Sequence, residues 1–186
     1  MARLIERIGP IQLRARRVPV FQSLVQAIIY QQLSGKAADT ILKRFLGLFG
    51  DGSFPSPAQV LTSTPEQLRS AGLSKPKAKY VRGVAEAVDG GLPTLDDCDD
   101  QTDAEIIARL TELKGVGRWT VEMFLIFNLA RPDVLPVHDL GVRRGFQIAY
   151  GKKKMPEPEQ LEKFGLRWKP YRTLAARYLW RAVDGE

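Results

Sequence analysis

Residues 113–120 read Leu-Lys-Gly-Val-Gly-Arg-Trp-Thr, a glycine-containing turn that separates two stretches of helical character. Before the turn, Thr102 and Glu105 form a capping-box pattern, and apolar residues recur at helical spacing through 106–113. After the turn, the stretch 121–129 is apolar on nearly every face, which is typical of a buried helix. The sequence therefore predicts two helices joined by a short hairpin.

The glycines of this turn allow its backbone to approach another surface closely. Gly115 and Gly117 tolerate backbone angles that a Cβ would penalise, so N–H groups can face outward at the start of the second helix. The partial positive charge of that helix end favours a bound phosphate. We interpret the turn as a DNA-binding helix-hairpin-helix, with a plain connection between helices as the alternative. The predicted DNA-contacting residues are Lys114, Gly115, Val116, Gly117, Arg118 and Thr120.

Composition favours a polyanionic partner and excludes some classes of site. The 186 residues, 44% of them hydrophobic, fit one domain or two small lobes that share a core. A net charge of +7 and a pI near 9.7 favour nucleic acid. No apolar run is long enough to cross a bilayer, and the first residues lack the apolar segment of a secretory signal. The single cysteine, Cys98, excludes an internal disulfide and a cysteine-based zinc site, and indicates a reducing compartment.

Helical periodicity covers most of the remaining chain, and no segment alternates convincingly at period two, so we expect an all-α fold of about ten helices. Besides the hairpin helices, the expected helical stretches lie within 1–19, 19–33, 36–49, 65–71, 74–87, 139–149, 157–168 and 170–183. The Pro- and Ser-rich stretch between Gly52 and Thr64 and the acidic run 96–100 are expected to be connections, with a magnesium site in the acidic run as the weaker alternative. The basic residues of the helix at 74–87 are expected to face outward, either along a phosphate backbone or into solvent. They are Lys75, Lys77, Lys79 and Arg82.

A loop downstream of the hairpin carries a candidate catalytic carboxylate. Residues 135–139 read Leu-Pro-Val-His-Asp, and helical spacing begins directly afterwards. Asp139 is therefore expected at a helix N-terminus, where the dipole and the N–H groups favour its anion. An anion in this position can stabilise positive charge that develops on a sugar. The alternative is an N-cap without chemistry, and the neighbouring His138 is either a sugar or phosphate contact or an exposed bystander.

Together these motifs resemble the HhH-GPD superfamily of DNA base-excision glycosylases. The likeness spans about residues 27–180 and includes the hairpin, the Leu-Pro-x-x-Asp loop, Arg-Trp-Lys-Pro-Tyr-Arg at 167–172 and Tyr-Leu-Trp at 178–180. It is closest to the alkylation-repair branch, DNA-3-methyladenine glycosylase II. The resemblance implies two helical lobes that face each other across a cleft. Their approximate extents within the single unit 1–186 are 36–131, with the hairpin, and 1–35 plus 132–186.

The resemblance implies a monofunctional glycosylase of base excision repair. Such an enzyme flips out an alkylated purine such as 3-methyladenine or 7-methylguanine and hydrolyses its N-glycosidic bond. By motif position, Asp139 is the catalytic residue, and Trp119, Trp180 and Met123 border the base pocket, where indole faces attract a cationic purine. Relatives that also cleave the strand carry a lysine where this chain has Trp119, so no AP-lyase activity is expected. Membership of the core is the alternative for each tryptophan.

A further implication concerns the segment Gln31-Gln32-Leu33-Ser34. In related glycosylases the residue after the first glutamine wedges into the duplex from the minor groove and fills the gap that the extruded nucleotide leaves. By position that residue is Gln32, with Leu33 beside it. The alternative is that the two glutamines simply finish a helix.

The resemblance also implies the partners and cofactors. The expected partner is double-stranded DNA that contains a damaged base, bound by a monomer without a membrane, in the cytoplasmic nucleoid of a bacterium or the nucleus of a eukaryote. No cofactor is expected, because Cys98 alone cannot supply the four-cysteine iron–sulfur cluster of some relatives. Related hairpins often hold a monovalent cation, here on the carbonyls of Leu113 and Val116. Two other functions stay open: a glycosylase for ethenoadenine, hypoxanthine or a mismatched base, and a non-catalytic helix-hairpin-helix protein that binds DNA.

Overall fold

The computed structural model describes residues 1–50 and 52–184, and within them it is helical with no β-strand. The all-α prediction is confirmed. Positions 51, 185 and 186, which fall in the predicted lobes, lie outside the described residues. The helices are α1 (Ala2–Ile8), α2 (Val20–Tyr30), α3 (Gly35–Gly47), α4 (Pro57–Thr62), α5 (Pro65–Ser70), α6 (Lys75–Asp89), α7 (Leu95–Asp100), α8 (Asp103–Thr111), α9 (Arg118–Met123), α10 (Leu140–Ala149), α11 (Pro158–Gly165) and α12 (Arg172–Val183). A π-helical segment, Phe124–Asn128, follows α9, and a 3₁₀ turn, Leu166–Trp168, follows α11.

The chain forms two compact units. The central unit is Arg17–Phe124, and the terminal unit combines Met1–Arg16 with the chain from Leu125 onward. The predicted lobes instead had their boundaries at 35/36 and 131/132. The difference at the first boundary arises because the buried face of α2 packs against α3, α6 and α9, which places this helix in the same unit as the hairpin.

The core of the central unit is built around α2 and α6. The apolar positions of α2 recur at helical spacing, and Leu24, Ile28 and Ile29 are fully buried. The α6 helix packs against α2, α4 and α5, while α8 packs against α9. The two helices that flank the hairpin are therefore held by the same core that holds α2.

In the terminal unit, α12 packs closely against α10 and also contacts α1. A Cβ at Gly145 of α10 would overlap the Leu179 carbonyl group. The glycine therefore allows α10 to lie directly against the backbone of α12. Val142, Phe146 and Leu161 form the core beside this crossing. The absence of a side chain at Gly145 thus brings the N-terminal end of α10 close to the side chains of α12.

The helices α4 and α7 lie where connections were expected. Each is six residues long and begins at a complete capping box, formed by Ser56 with Gln59 and by Thr94 with Asp97. The reciprocal hydrogen bonds satisfy N–H groups that the first turn of a helix leaves open, so these short stretches form helices. Among the described residues, no helix is both long enough and apolar enough to cross a membrane.

Candidate active site

Asp139 is the N-cap of α10, as the sequence predicted. Its Oδ1 accepts a hydrogen bond from the backbone N–H of Val142 at 2.7 Å. Its own backbone N–H donates to the Pro136 carbonyl at 3.0 Å, which closes a turn just before the helix. The half-buried carboxylate is thereby fixed at the positive end of the α10 dipole.

Trp180 of α12 donates its indole N–H to the same carboxylate oxygen. The distance from Nε1 to Oδ1 of Asp139 is 2.8 Å. The indole ring stacks on Phe127, with 5.6 Å between centroids and 23° between planes. The guanidinium groups of Arg16 and Arg177 lie 5.5 and 5.8 Å from the centroid of Phe127. The sequence predicted Trp180 in the site, but it revealed neither this hydrogen bond nor the presence of Phe127.

Gly141, two residues after the carboxylate, leaves the space into which the indole fits. A Cβ at this position would lie 2.8 Å from Cδ1 of Trp180 and 3.1 Å from Oδ1 of Asp139. Contacts this short force the neighbouring atoms to shift. A side chain at 141 would therefore disturb the hydrogen bond between Trp180 and Asp139.

The predicted hairpin connects α8 to α9 in the central unit. Gly115 has a φ of 88°, and a Cβ there would overlap the ring of Tyr80 on α6. Gly117 is the N-cap of α9, is exposed, and has no atom within 4 Å of the position of a Cβ. The fold thus explains the glycine at 115, whereas the space beside Gly117 is open to an approaching molecule.

The hairpin residues predicted to contact DNA differ in how exposed their side chains are. Lys114 is exposed, and the Arg118 side chain, 63% exposed, pairs with Glu122 at 3.0 Å. Val116 and Thr120 are only 3% and 2% exposed, because their side chains pack inside the hairpin. The sequence assigned the phosphate contact of this turn to backbone groups, and contact of Val116 and Thr120 with DNA stays a prediction that their burial limits to the backbone.

The glutamine segment follows the end of α2 instead of finishing the helix. Gln31 is the C-cap residue, and Gln32, with a φ of 58°, is exposed together with Leu33. The Gln31 amide reaches the hairpin, where Nε2 donates to the Gly115 carbonyl at 2.8 Å and to Oγ1 of Thr120 at 3.2 Å. No pattern in the sequence indicated this contact of the Gln31 side chain.

Two basic residues of α6 bind backbone carbonyls instead of facing outward as expected. Lys77 donates from Nζ to the carbonyls of Ile29 and Gln31, at 2.8 and 2.6 Å. Burial lowers the pKa of the Lys77 ammonium from its ordinary value. Arg82 donates to carbonyls at the end of α4, including that of Ser63 at 2.7 Å. Neither side chain is positioned to follow a phosphate backbone.

The remaining predicted site residues are distributed over both units. Trp119, 39% exposed, and the half-buried Met123 lie on α9 in the central unit, whereas Trp180 belongs to the terminal unit. Their shared base pocket stays a prediction. His138 is exposed. The carbonyl of Leu113 accepts the backbone N–H of Val116 at 3.0 Å, and a cation on these two residues stays a prediction.

Comparison with known proteins identifies the family. Residues 25–170 match the HhH-GPD superfamily, described as base excision DNA repair proteins. The chain is 38% identical over 183 residues to DNA-3-methyladenine glycosylase 1 of Schizosaccharomyces pombe, which covers 96% of this chain and 80% of that protein. It is similar to the solved structure of the S. pombe 3-methyladenine DNA glycosylase in complex with abasic DNA, with a TM-score of 0.89 and 36% identity over 97% of this chain and 89% of that chain. A crystal structure of DNA-3-methyladenine glycosidase from Bacillus halodurans gives a TM-score of 0.87 and 40% identity, over 99% of this chain and 84% of that chain. The resemblance found in the motifs is thus confirmed, and the chain belongs to the HhH-GPD superfamily of base excision DNA repair proteins.

Proposed function

We propose that this protein is a DNA glycosylase of base excision repair that hydrolyses the N-glycosidic bond of alkylated purines such as 3-methyladenine and 7-methylguanine. The observation that carries the proposal is the carboxylate of Asp139, which is held on one oxygen by the Val142 N–H and the Trp180 indole N–H. The names of the similar proteins from S. pombe and B. halodurans support the same substrate class.

In the proposed reaction, the alkylated purine is a good leaving group. Alkylation at N3 or N7 gives the purine a positive charge, so when the bond from C1′ to the base breaks, the purine takes the electron pair and leaves neutral. Positive charge then develops on the deoxyribose, and the fixed carboxylate of Asp139 stabilises it. The oxygen of a water molecule adds to C1′ and loses one proton, which leaves an abasic site and a free base.

The hairpin of the central unit binds the DNA backbone in the proposed complex. Lys114 and the backbone of the turn bind a phosphate, and the open space beside Gly117 lets the strand come close. The exposed Gln32 fills the gap in the duplex that the extruded nucleotide leaves. A cationic purine attracts indole faces, which is the role we propose for Trp119 and Trp180.

We further propose that the enzyme acts as a monomer on damaged duplex DNA and leaves the strand intact. Strand cleavage in this family needs an amine that forms a Schiff base with the sugar. Trp119 occupies the position where the strand-cleaving relatives carry that lysine, and an indole cannot act as such a nucleophile. Incubation of the protein with duplex DNA that contains one abasic site should therefore give no β-elimination product.

The experiment that tests the function is base release from methylated duplex DNA by the wild type and by Asp139→Asn. The amide keeps the shape of the side chain but removes its charge, so we expect the single-turnover rate to fall by at least about a hundredfold with little change in DNA affinity. Asp89→Asn, on the exposed end of α6, is the matched control and should behave as the wild type does. Equal rates for Asp139→Asn and the wild type would contradict the catalytic assignment.

A panel of single-lesion duplexes separates the proposed substrate range from its alternatives. Release of 3-methyladenine and 7-methylguanine, in preference to ethenoadenine, hypoxanthine and mismatched pyrimidines, is the expected pattern. A protein that binds all of these duplexes and releases no base would instead be a DNA-binding protein without catalytic activity.

A further inference from the structure

The turn that carries Gln32 has a backbone conformation that is unfavourable for its residue type. Gln32 is not a glycine, yet its φ of 58° lies in the left-handed region, where a Cβ is close to the following carbonyl. Such a residue persists only where its surroundings determine its position. Gln32 and Leu33 are both exposed, so packing of their own side chains does not impose this conformation. The backbone N–H of Leu33 donates to the Tyr30 carbonyl at 3.3 Å, and further restraint comes from side chains that hold the preceding residues.

Two half-buried side chains supply that restraint immediately before Gln32. Lys77 donates from Nζ to the carbonyls of Ile29 and Gln31, which stabilises the C-terminal end of α2. The Gln31 side chain donates from Nε2 to the Gly115 carbonyl at 2.8 Å and to Oγ1 of Thr120 at 3.2 Å. The first group holds the turn against α6, and the second holds it against the hairpin.

The contact of Gln31 with Gly115 joins the two parts of the central unit that the proposed function brings to DNA. Gly115 is in the middle of the hairpin turn and lies so close to Tyr80 that a Cβ would overlap its ring. The amide of Gln31 therefore links this turn, proposed to hold a phosphate, to Gln32, proposed to enter the duplex. An apolar side chain of equal length would fill the same space without linking the two.

We infer that Gln31 is a positioning residue that couples the hairpin to the wedge at Gln32, so that the grip on the strand sets the position from which Gln32 enters the base stack. The inference rests on the proposed function and adds a residue to it. Gln31 itself touches neither the damaged base nor the sugar. Its loss therefore impairs extrusion of a nucleotide from a duplex more than it impairs cleavage of the glycosidic bond.

Gln31→Met tests this coupling, since methionine has a similar length but has no N–H to donate. The substrate is an oligonucleotide that carries one 7-methylguanine, presented either in a duplex or as a single strand, where no stacked partner has to be displaced. We expect the single-turnover rate on the duplex to fall about tenfold, because the variant loses both hydrogen bonds of the Gln31 amide, with a change of less than about twofold on the single strand. Gln26→Met makes the same substitution on the same helix and should change neither rate.

Lys77→Met provides a second variant that acts on the same turn through a different side chain. It should also lower the duplex rate selectively, and Lys43→Met, at an exposed position of α3, should not. Thermal melting of each variant establishes that it is folded. Equal losses on both substrates for Gln31→Met, or no loss on either, would overturn the coupling and leave the proposed function intact. A wild type that releases no base from either substrate would instead overturn the proposed function.

Discussion

Gly115 and Gly117 of the hairpin and Gly141 beside Asp139 have different surroundings. Gly115 combines a positive φ with direct contact to Tyr80, so the fold itself requires glycine there. Gly117 faces open space, and Gly141 accommodates the ring of Trp180. From the sequence, both hairpin glycines were expected to let the turn backbone approach another surface closely, and no role was expected for Gly141. Spacing identifies a turn, but only the packed neighbours show which glycine the fold requires and which faces open space.

Alanine substitutions should separate the two hairpin glycines. Gly115→Ala adds a Cβ in a left-handed conformation and against Tyr80, so we expect the free energy of unfolding to fall by roughly 1–3 kcal/mol. Gly117→Ala should melt as the wild type does and bind undamaged duplex DNA about tenfold more weakly, because the added methyl group occupies the approach to the backbone. Thermal melting and fluorescence anisotropy measure the two effects. A loss of stability at 117 with unchanged DNA affinity would contradict the interpretation.

Gly141→Ala should act on catalysis instead of on DNA binding. The added Cβ lies within 2.8 Å of Trp180 and displaces the indole from its hydrogen bond with Asp139. We expect the single-turnover rate of base release to fall at least about tenfold, with affinity for duplex DNA within about twofold of that of the wild type. Gly83→Ala, in α6, is the matched control because nothing lies within 4 Å of its added Cβ. A wild-type rate for Gly141→Ala would show that the hydrogen bond to the carboxylate is not needed.

The helices show which local signals in the sequence suffice and which do not. The N-cap position of Asp139 was predicted from one residue and the periodicity after it, and it is confirmed. The helices α4 and α7 were missed although their capping boxes are present in the sequence, whereas α5, also six residues long, was predicted from such a box. The difference is that α4 and α7 lie in a Pro- and Ser-rich stretch and an acidic run, whose compositions are typical of connections. The π-helical segment Phe124–Asn128, which carries Phe127 to the indole of Trp180, lies within the apolar stretch 121–129, and no local signal distinguishes it from an α-helix. Its backbone depends on packing that the sequence does not display.

The loop that leads to Asp139 is anchored to α12 at both of its ends. At its start, Arg172 donates to both carboxylate oxygens of Asp133, at 2.7 and 2.9 Å, and the backbone N–H of Val134 donates to Oγ1 of Thr173 at 3.0 Å. At its end, Trp180 donates to Asp139. The α12 helix therefore positions the whole loop, and not only the carboxylate.

Asp133→Asn should reveal a stability contribution that depends on pH. Hydrogen bonds from Arg172 lower the pKa of Asp133 below its ordinary value of 3.8. A depressed carboxyl pKa in the folded state adds stability above that ordinary value, and this stability is lost as the pH falls through the folded pKa. We expect the variant to be roughly 1–2 kcal/mol less stable at neutral pH, with the difference shrinking below about pH 4. Urea unfolding of the variant and the wild type at a series of pH values measures this difference.

At the scale of the whole chain, the sequence indicated the fold class and the family but not the extents of the two units or the roles of individual basic residues. The fold class and the family follow from motifs that are local in sequence, and both are confirmed. The compact units differ from the predicted lobes at their edges, because the units depend on contacts between distant residues, such as the hydrogen bond from Gln31 to Gly115, 84 positions apart. The net charge of +7 predicts a polyanionic partner but does not show which basic residues meet it. Lys77 and Arg82 illustrate the difference, since both bind carbonyls of their own unit.

The dependence of DNA affinity on salt concentration tests whether a basic residue of the hairpin contacts a phosphate. Each phosphate that a lysine neutralises releases counterions, so the slope of log K against log salt changes by about 0.9 for each contact. Lys114 is exposed at the hairpin, and we expect Lys114→Ala to make the slope for undamaged duplex DNA less steep by about one while base release at saturating enzyme is retained. Lys43→Ala removes the same charge from an exposed position of α3 and should leave the slope unchanged. If both variants change the slope equally, DNA responds to the overall charge of the molecule, and the hairpin has no privileged contact with the phosphate backbone.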